Sequence, residues 1–314
     1  MELELPAPFV ARSYRGPVDH PLLALVLGEY REHIGDPEMV TVAELDVAYA
    51  HLVNCDPAND IAIIEFDDGE PVGFVRTSWE DDGEGCRNCV VFAPTRPAHI
   101  AEPRFLAVVA AQEAHMRPWA SGHDRARYKA FAPHPGPGRP ATEEAAWLES
   151  VGYTPIRFGA SLVRSHLDDI PDRQLPAGVE VRPVTPDQIW TIWEAHWEAF
   201  RGSWDFREAT EDDFAQFRDD PALDTSLWKI AWAGDTVVGQ VKTHVNAEEN
   251  EARGYMRGYT EEISTHADWR NRGIAGALLA MSLRELRDRG YQEAALGVDI
   301  ENPGGAFQLY TSVG

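Results

Sequence analysis

Two stretches of the chain repeat the same pattern of apolar and polar positions. Val72-Gly-Phe-Val-Arg-Thr77 is echoed 166 positions later by Val238-Gly-Gln-Val-Lys-Thr243, and each follows an apolar run and a turn rich in Asp and Gly. Such runs around a turn predict β-hairpins. A second match, of Trp147-Leu-Glu-Ser-Val-Gly152 with Leu309-Tyr-Thr-Ser-Val-Gly314, has a spacing of 162 positions and lies in the same order. Two matches with nearly equal spacing predict a tandem duplication.

The joint between the two copies is predicted from composition. Residues 166–178 are polar and contain two prolines and a glycine, as is typical of a linker. The expected domains are therefore 1–165 and 179–314, with 166–178 between them.

The order of elements in the second copy predicts the fold class. After a first strand, helices and a hairpin, the apolar pattern predicts a strand, a helix, a strand and a helix at 258–265, 273–289, 294–300 and 304–313. We expect an α/β fold (an α+β mixed sheet) in which each domain has a mixed, mostly antiparallel sheet flanked by helices. In the first copy, the proline- and glycine-rich segment 133–140 predicts a loop.

Composition narrows the class of protein. The chain has 314 residues, 44% of them hydrophobic, and 52 acidic residues against 28 basic ones give a net charge of −24. This charge repels nucleic acid and anionic membranes, so we expect neither as a partner, and it attracts small amines. The sequence contains no apolar run long enough to span a membrane and no secretory signal at its N-terminus, which predicts a cytoplasmic protein.

The cysteines do not predict a metal or disulfide site. There are three, Cys55, Cys86 and Cys89, an odd and low number for a disulfide framework. Cys86 and Cys89 have C-x-x-C spacing, but no second pair or pair of histidines completes a set of four ligands. We therefore expect no bound metal.

The residues at 268–276, D-W-R-N-R-G-I-A-G, place cations and glycines where a helix begins. Apolar residues at Ala275, Leu279, Leu283 and Leu286 predict one buried face for that helix. The first amides of a helix lack internal partners, and the helix dipole adds positive charge there. Glycines permit close approach to the main chain, and arginines add charge. The combination predicts a binding site for an anion such as a pyrophosphate.

At these residues the sequence resembles the GNAT acetyltransferase superfamily. Arg270-Asn-Arg-Gly273-Ile-Ala275 is similar to the family's R/Q-x-x-G-x-G/A motif, Ile263-Ser-Thr265 to its splayed strand, and Asn302 with 306–314 to its N…A…LY…G segment. The resemblance implies acetyl-CoA as co-substrate, with pyrophosphate on the amides of 272–276 and pantetheine on 263–265. The implied coenzyme-binding residues are Ile263, Ser264, Thr265, Arg270, Asn271, Arg272, Gly273, Ile274, Ala275, Gly276, Asn302 and Ala306.

The first copy departs from this pattern. The equivalent segment 92–104 contains three prolines and no glycine, and proline removes amide donors. Leu148 stands opposite Tyr310. We therefore expect a degenerate first domain, kept for structure or to shape the substrate site. A tandem layout with an active second half resembles mycothiol synthase and related two-domain enzymes.

The resemblance also implies catalytic residues for N-acetyl transfer. Tyr310 matches the position of the family's general acid, where a phenol would protonate the departing thiolate. The base is expected on the strand before the motif. Glu261 and Glu262 are adjacent there, and strand alternation would direct them to opposite faces. Glu261 is the first choice and Glu262 the second, because alternation gives Glu261 the same face as Tyr259 and Ile263 and some relatives place an acid at its position. Other relatives place the acid at the position of Tyr259, which leaves the assignment open.

Aromatic residues early in the second copy are candidates for binding the acceptor. We expect contacts from Trp204 and Trp197, together with Tyr259. The predicted function is an acetyl-CoA-dependent N-acetyltransferase that acts on a primary amine of a small molecule by direct attack in a ternary complex, as a monomer or homodimer. The alternatives are a non-catalytic acyl-CoA-binding sensor or scaffold, and a protein N-acetyltransferase.

The second copy ends at Gly314, where the family continues with further strands. The first copy shows that continuation at 153–164. The C-terminal strands of the second domain are therefore expected to be missing from this sequence.

Overall fold

A computed structural model describes residues 3, 5, 7–36, 38–133, 142–302 and 304–314. The loop predicted at 133–140 lies outside the described residues except for Pro133. The chain divides into two compact units. The first unit comprises Met1–Pro155 with Asp205–Glu208, and the second comprises Ile156–Trp204 with Ala209–Gly314.

The first unit is a five-stranded sheet with helices. Its strands are β1 (Phe9–Ser13), β2 (Ile61–Phe66), β3 (Pro71–Asp81), β4 (Arg87–Phe92) and β5 (Ala126–Ala130). They lie in the order β1-β2-β3-β4-β5, and only the β4–β5 pair is parallel. The helices are α1 (His20–Ile34), α2 (Val42–Ala50), α3 (Pro57–Asp60), α4 (Glu102–Ser121) and α5 (Glu143–Ser150).

The second unit contains a six-stranded sheet. Its strands are β6 (Gly159–Arg164), β7 (Glu180–Arg182), β8 (Lys229–Ala233), β9 (Thr236–His244), β10 (Arg257–Thr265) and β11 (Glu293–Asp299). Their order is β6-β11-β10-β9-β8-β7, with β10 and β11 parallel and the other pairs antiparallel. The helices are α6 (Ile189–Ala199), α7 (Glu211–Arg218), α8 (Ala247–Arg253), α9 (Ile274–Asp288) and α10 (Ala306–Thr311). Two mixed sheets flanked by helices confirm the predicted fold class.

The apolar face of α9 holds this helix on the second sheet. Leu279, Leu283 and Leu286 are buried, as their spacing predicts, and they pack with Ala294 of β11. On the other side of the face, Ile274 and Leu278 join the apolar side chains of β8 and β9. Burying this face fixes where the N-terminus of α9 lies relative to the end of β10.

Strand β6 is assigned differently by sequence and by structure. The sequence boundary at residue 165 places 159–164 in the first copy, whereas the structure places this strand in the second sheet. It pairs antiparallel with β11 over six residues, from Ala294↔Arg164 to Asp299↔Gly159. The edge of β11 is therefore covered by a strand that precedes the linker.

Candidate active site

A cavity of about 670 Å³ lies in the second unit, where β10 ends and α9 begins. The start of α10 and the segment 199–204 complete its wall. Most residues predicted to bind the coenzyme line this cavity: Ile263, Ser264, Thr265, Arg270, Asn271, Gly273, Ile274, Ala275, Gly276, Asn302 and Ala306. The structure therefore brings three separate sequence segments to one place.

The N-terminus of α9 presents backbone amides to the cavity. Gly273 is the N-cap, with φ = +82°, and as a glycine it has no side chain that could cap the helix. Asn271 is also left-handed, with φ = +59°. Glycine adopts a left-handed backbone conformation without strain, and asparagine tolerates it. The chain can therefore turn sharply into the helix, whose first backbone amides have no partner within the helix.

Arg270 and Arg272 bond to carbonyl oxygens. Arg270 donates to the carbonyl oxygen of Ala199 at 2.5 Å. Arg272 donates to that of Asp268 at 2.9 Å and lies over the ring of Trp269. Neither guanidinium group forms an ion pair with a carboxylate of the described chain, so both retain net positive charge beside the helix start. The lining formed by the described residues includes Arg270 but not Arg272.

Strands β10 and β11 separate beside the cavity. Their parallel register joins Arg257–Tyr259 to Glu293–Ala295 and goes no further, although β10 continues to Thr265. A bulge between Glu261 and Ser264 shifts the register of β10 against β9, and Glu262 has φ = +46°. Through this bulge, strand alternation alone does not determine the faces on which Glu261 and Glu262 lie.

Glu261 lies across the gap between the separated strands. Its Oε1 accepts a hydrogen bond of 2.9 Å from the backbone N–H of Gly297 in β11. The side chain of Glu261 therefore faces β11. The side chain of its neighbour Glu262 instead forms an ion pair on β9. Glu261 is also close enough to Tyr310 to affect its ionisation.

Tyr310 is a half-buried residue of α10 and lines the cavity. Burial, together with the negative charge of Glu261, raises the pKa of Tyr310 to about 12. The phenol is therefore protonated throughout the physiological range and can donate a proton. Of the predicted catalytic residues, Tyr310 and Glu261 are the two that the structure brings together.

Glu262 belongs to a separate charged cluster. It forms an ion pair with Lys242 of β9, whose exposed fraction is only 4%. Burial acts to raise the pKa of Glu262, but the charge of Lys242 and the hydrogen bond from it outweigh burial and lower that pKa. Burial lowers the pKa of His196, on α6, to about 4. Neither Lys242 nor His196 was predicted to have a role, and the one available signal in the sequence was a lysine inside the apolar strand at 238–243.

The three predicted acceptor residues lie in different environments. Trp204 lines the cavity, with the guanidinium of Arg157 5.1 Å from its ring centre. Trp197 packs against Trp193 within α6 and is not part of the lining formed by the described residues. Tyr259 is buried, and its hydroxyl donates to Glu249 at 2.6 Å. Trp204 alone of these three borders the cavity within the described chain.

Arg157 is a cavity residue that the sequence analysis missed. It donates to Oδ2 of Asp299 at 2.6 and 2.9 Å, and both residues line the cavity. Arg157 precedes β6, so the predicted boundary assigned it to the first copy. Its position could be found only from the pairing of β6 with β11.

The described residues contain no group of three or more His, Cys, Asp or Glu side chains arranged to hold a metal ion. None of their helices combines the length and the apolar character that crossing a bilayer requires.

Part of this chain matches the model of a known family. Residues 189–314 match the model of the acetyltransferase (GNAT) family. The chain is 27% identical over 256 residues to a protein named mycothiol acetyltransferase from Streptomyces coelicolor, a match that covers 80% of this chain and 75% of that relative.

Solved structures show the same fold. The GCN5-related N-acetyltransferase from Sphaerobacter thermophilus superposes with a TM-score of 0.70 and 22% identity, covering 99% of this chain and 92% of that one. A tandem GNAT protein from the clavulanic acid biosynthesis pathway superposes with a TM-score of 0.64 and 15% identity, covering 97% of this chain and 93% of that one.

Proposed function

Because residues 189–314 match the acetyltransferase (GNAT) family, we propose that the chain transfers the acetyl group of acetyl-CoA to a primary amine of a small molecule. The observation that carries the proposal is the single cavity wall formed by the end of β10, the uncapped start of α9 and Tyr310. It combines an anion-binding helix start, an open strand edge and a proton donor.

The coenzyme would lie along this wall. The diphosphate would accept hydrogen bonds from the amides of 272–276, strengthened by the helix dipole and by Arg270. The pantetheine arm would pair with the main chain of 263–265, because β11 leaves that edge of β10 unpaired. Asn302 and Ala306, at the start of α10, would border the same arm.

The reaction would proceed by direct attack of the amine on the thioester. The new C–N bond forms as the C–S bond breaks, the proton of the attacking amine passes to Glu261, and Tyr310 supplies the proton of the departing thiolate. A covalent acetyl-cysteine intermediate is disfavoured by the position of the cysteines. All three lie in the first unit, and burial raises the pKa of Cys55 to about 12, so its thiol is a poor nucleophile.

Glu261 remains the preferred base over Glu262. The carboxylate of Glu262 is held by the buried Lys242, which lowers its pKa and weakens its affinity for a proton. Glu261 accepts a hydrogen bond from Gly297 and lies close enough to Tyr310, the proposed acid, to raise its pKa.

The acceptor is proposed to be a small cationic metabolite. Trp204 offers an aromatic face at the cavity, and the net charge of −24 attracts cations. The similarity to proteins named mycothiol acetyltransferase makes the amine precursor of mycothiol, a thiol-containing pseudodisaccharide, the first acceptor to test. Aminoglycosides and a peptide N-terminus are the comparison acceptors.

A panel of these amines with acetyl-CoA tests the proposal. Release of free coenzyme A thiol reports turnover for acceptors without a thiol, and mass spectrometry of the acetylated product is needed for acceptors that contain one. We expect turnover of at least one small amine, with intersecting initial-rate lines that indicate a ternary complex. Binding of acetyl-CoA without turnover of any amine would instead support the non-catalytic sensor.

A further inference from the structure

Arg173 lies beside the first turn of α9, although it belongs to the segment predicted to be a linker. Its Nη2 donates to the carbonyl oxygen of Ser312 at 3.1 Å and to the hydroxyl of Ser312 at 2.8 Å. Its Nη1 is 2.7 Å from the position that a Cβ atom on Gly276 would occupy. A side chain at residue 276 would therefore displace the guanidinium group, which gives the glycine a second role besides admitting a ligand.

The charge of Arg173 is not neutralised by the described chain. No carboxylate of the described residues forms an ion pair with it. The neighbouring Asp172 bonds instead to Arg284 at 3.3 Å and to Gln174 at 2.9 Å. The two bonds to Ser312 use one nitrogen of the guanidinium group, so Nε and Nη1 remain as donors. A neutral side chain could make the same two bonds.

The guanidinium group of Arg173 lies apart from the backbone amides of 272–276, which are the proposed contacts of the diphosphate. Gly276 is the third residue of α9 and also lines the cavity, so Arg173 lies on the flank of the helix next to the uncapped amides. Leu309 of α10 touches the same face of Gly276, so Arg173 lies where α9 and α10 meet. Coenzyme A has phosphate at two places, the diphosphate and the 3′-phosphate of its ribose.

We propose that Arg173 binds the 3′-phosphate of the coenzyme, and thereby makes the enzyme prefer acetyl-CoA to its 3′-dephospho form. This inference rests on the proposed coenzyme site. A phosphate monoester is a dianion whose oxygens match the fork of a guanidinium group. The bonds to Ser312 hold the fork in place before the coenzyme arrives, which reduces the entropy lost on binding.

The test compares two coenzymes and two variants. Arg173→Gln removes the charge and keeps a donor for Ser312, while Arg284→Gln removes an equally positive side chain from the body of α9. Calorimetry gives the Kd of acetyl-CoA and of 3′-dephospho-acetyl-CoA for each protein, and thermal denaturation shows that each is folded. If Arg173→Gln does not fold, Arg173→Lys replaces it, with a reduced preference expected because the fork is lost.

We expect the unaltered protein and Arg284→Gln to bind acetyl-CoA about 10-fold more tightly than the dephospho form. Arg173→Gln should lose this preference because its Kd for acetyl-CoA rises while its Kd for the dephospho form stays within about twofold. A preference that persists in Arg173→Gln, or is absent from the unaltered protein, overturns the inference and leaves the coenzyme site standing. Failure of the unaltered protein to bind either compound overturns the proposed function as well.

Discussion

The parallel strands of the two units differ in how far they stay together. In the first unit, β4 and β5 pair from Arg87↔Ala126 to Val91↔Ala130, which leaves one residue of β4 beyond the last pair. In the second unit, β10 and β11 pair over three residues and β10 then runs six residues further. The gap opens next to the bulge at Glu262. One topology thus provides a closed sheet in one unit and an open strand edge in the other.

The helices that follow β4 and β10, α4 and α9, also differ at their N-termini. The N-cap of α4 is Ala101 in extended conformation, and Pro103 stands in its first turn. The N-cap of α9 is the left-handed Gly273, with no proline in its first turn. Leu148 of α5 is a core residue, whereas Tyr310 of α10 lines the cavity. A few positions therefore separate a unit that lacks these features from one whose helix start and tyrosine fit the proposed coenzyme site.

Removing the hydroxyl that the first unit lacks should have the largest effect. Tyr310→Phe should lower kcat by at least about 100-fold, because the thiolate would leave without a proton donor. The KM for acetyl-CoA should stay within about threefold. Steady-state kinetics gives both values, and Tyr291→Phe, a tyrosine packed against the same cluster, is the matched control. Undiminished turnover by Tyr310→Phe would remove the assignment of the acid.

Substituting the two glutamates one at a time should have the next largest effect. Glu261→Gln should lower kcat/KM by about 50-fold at neutral pH, because the amide cannot take up the proton of the amine and water must do so instead. Stability should change little, because the amide oxygen can still accept a hydrogen bond from Gly297. Glu262→Gln should leave Lys242 buried without a counter-charge and lower the free energy of unfolding by about 1–3 kcal/mol, since the side chain of Glu262 is partly exposed. Kinetics and denaturant titration of both variants check this. The reverse pattern would make Glu262 the base.

Making the start of α9 resemble that of α4 should weaken coenzyme binding. Ala275→Pro places a proline in the first turn, as Pro103 does in α4, and removes one amide donor while the helix is retained. The Kd of acetyl-CoA should rise about 10-fold. Ala275→Ser, which keeps the amide, should bind like the unaltered protein. Equal affinities of the serine and proline variants would show that the amides of α9 do not hold the diphosphate.

The smallest expected effect is a pH dependence that belongs to the second unit. Burial lowers the pKa of His196 from 6.5 to about 4, so between these values the unfolded chain binds a proton that the folded one does not. The contribution of His196 to the free energy of unfolding should therefore be fully present above about pH 6.5 and should decline as the pH falls toward about 4. Tm measured across this range should decline less in His196→Gln, while His166→Gln, at an exposed site, should match the unaltered protein. An unchanged decline in His196→Gln would contradict this.

Local sequence signals predicted much of the second unit. A helix was predicted from the apolar face at 279, 283 and 286 and from the glycines before it. Each end of that predicted helix lies within one residue of the corresponding end of α9. The strand predicted at 258–265 corresponds closely to β10. These features depend on neighbouring residues, so periodicity and turn chemistry reveal them.

Non-local features could not be predicted in the same way. The pairing of β6 with β11 depends on a contact between distant strands, and no pattern within 159–164 indicates the partner. The bulge at Glu262 requires a positive φ, which glutamate rarely adopts, so alternation was the natural assumption. Arg157 and Arg173 were missed for the same reason, because Arg157 reaches the cavity, and Arg173 the first turn of α9, only through the packing of β6 and the linker.

Calorimetric titration with coenzyme A tests the central claim most directly, which is that one unit binds the coenzyme and the other does not. We predict one site per chain in the unaltered protein, weakened about 10-fold by Ala275→Pro in α9 and unaffected by Pro103→Ala in α4. Two sites per chain, or a site whose affinity follows Pro103 and not Ala275, would contradict the assignment of the coenzyme site to the second unit.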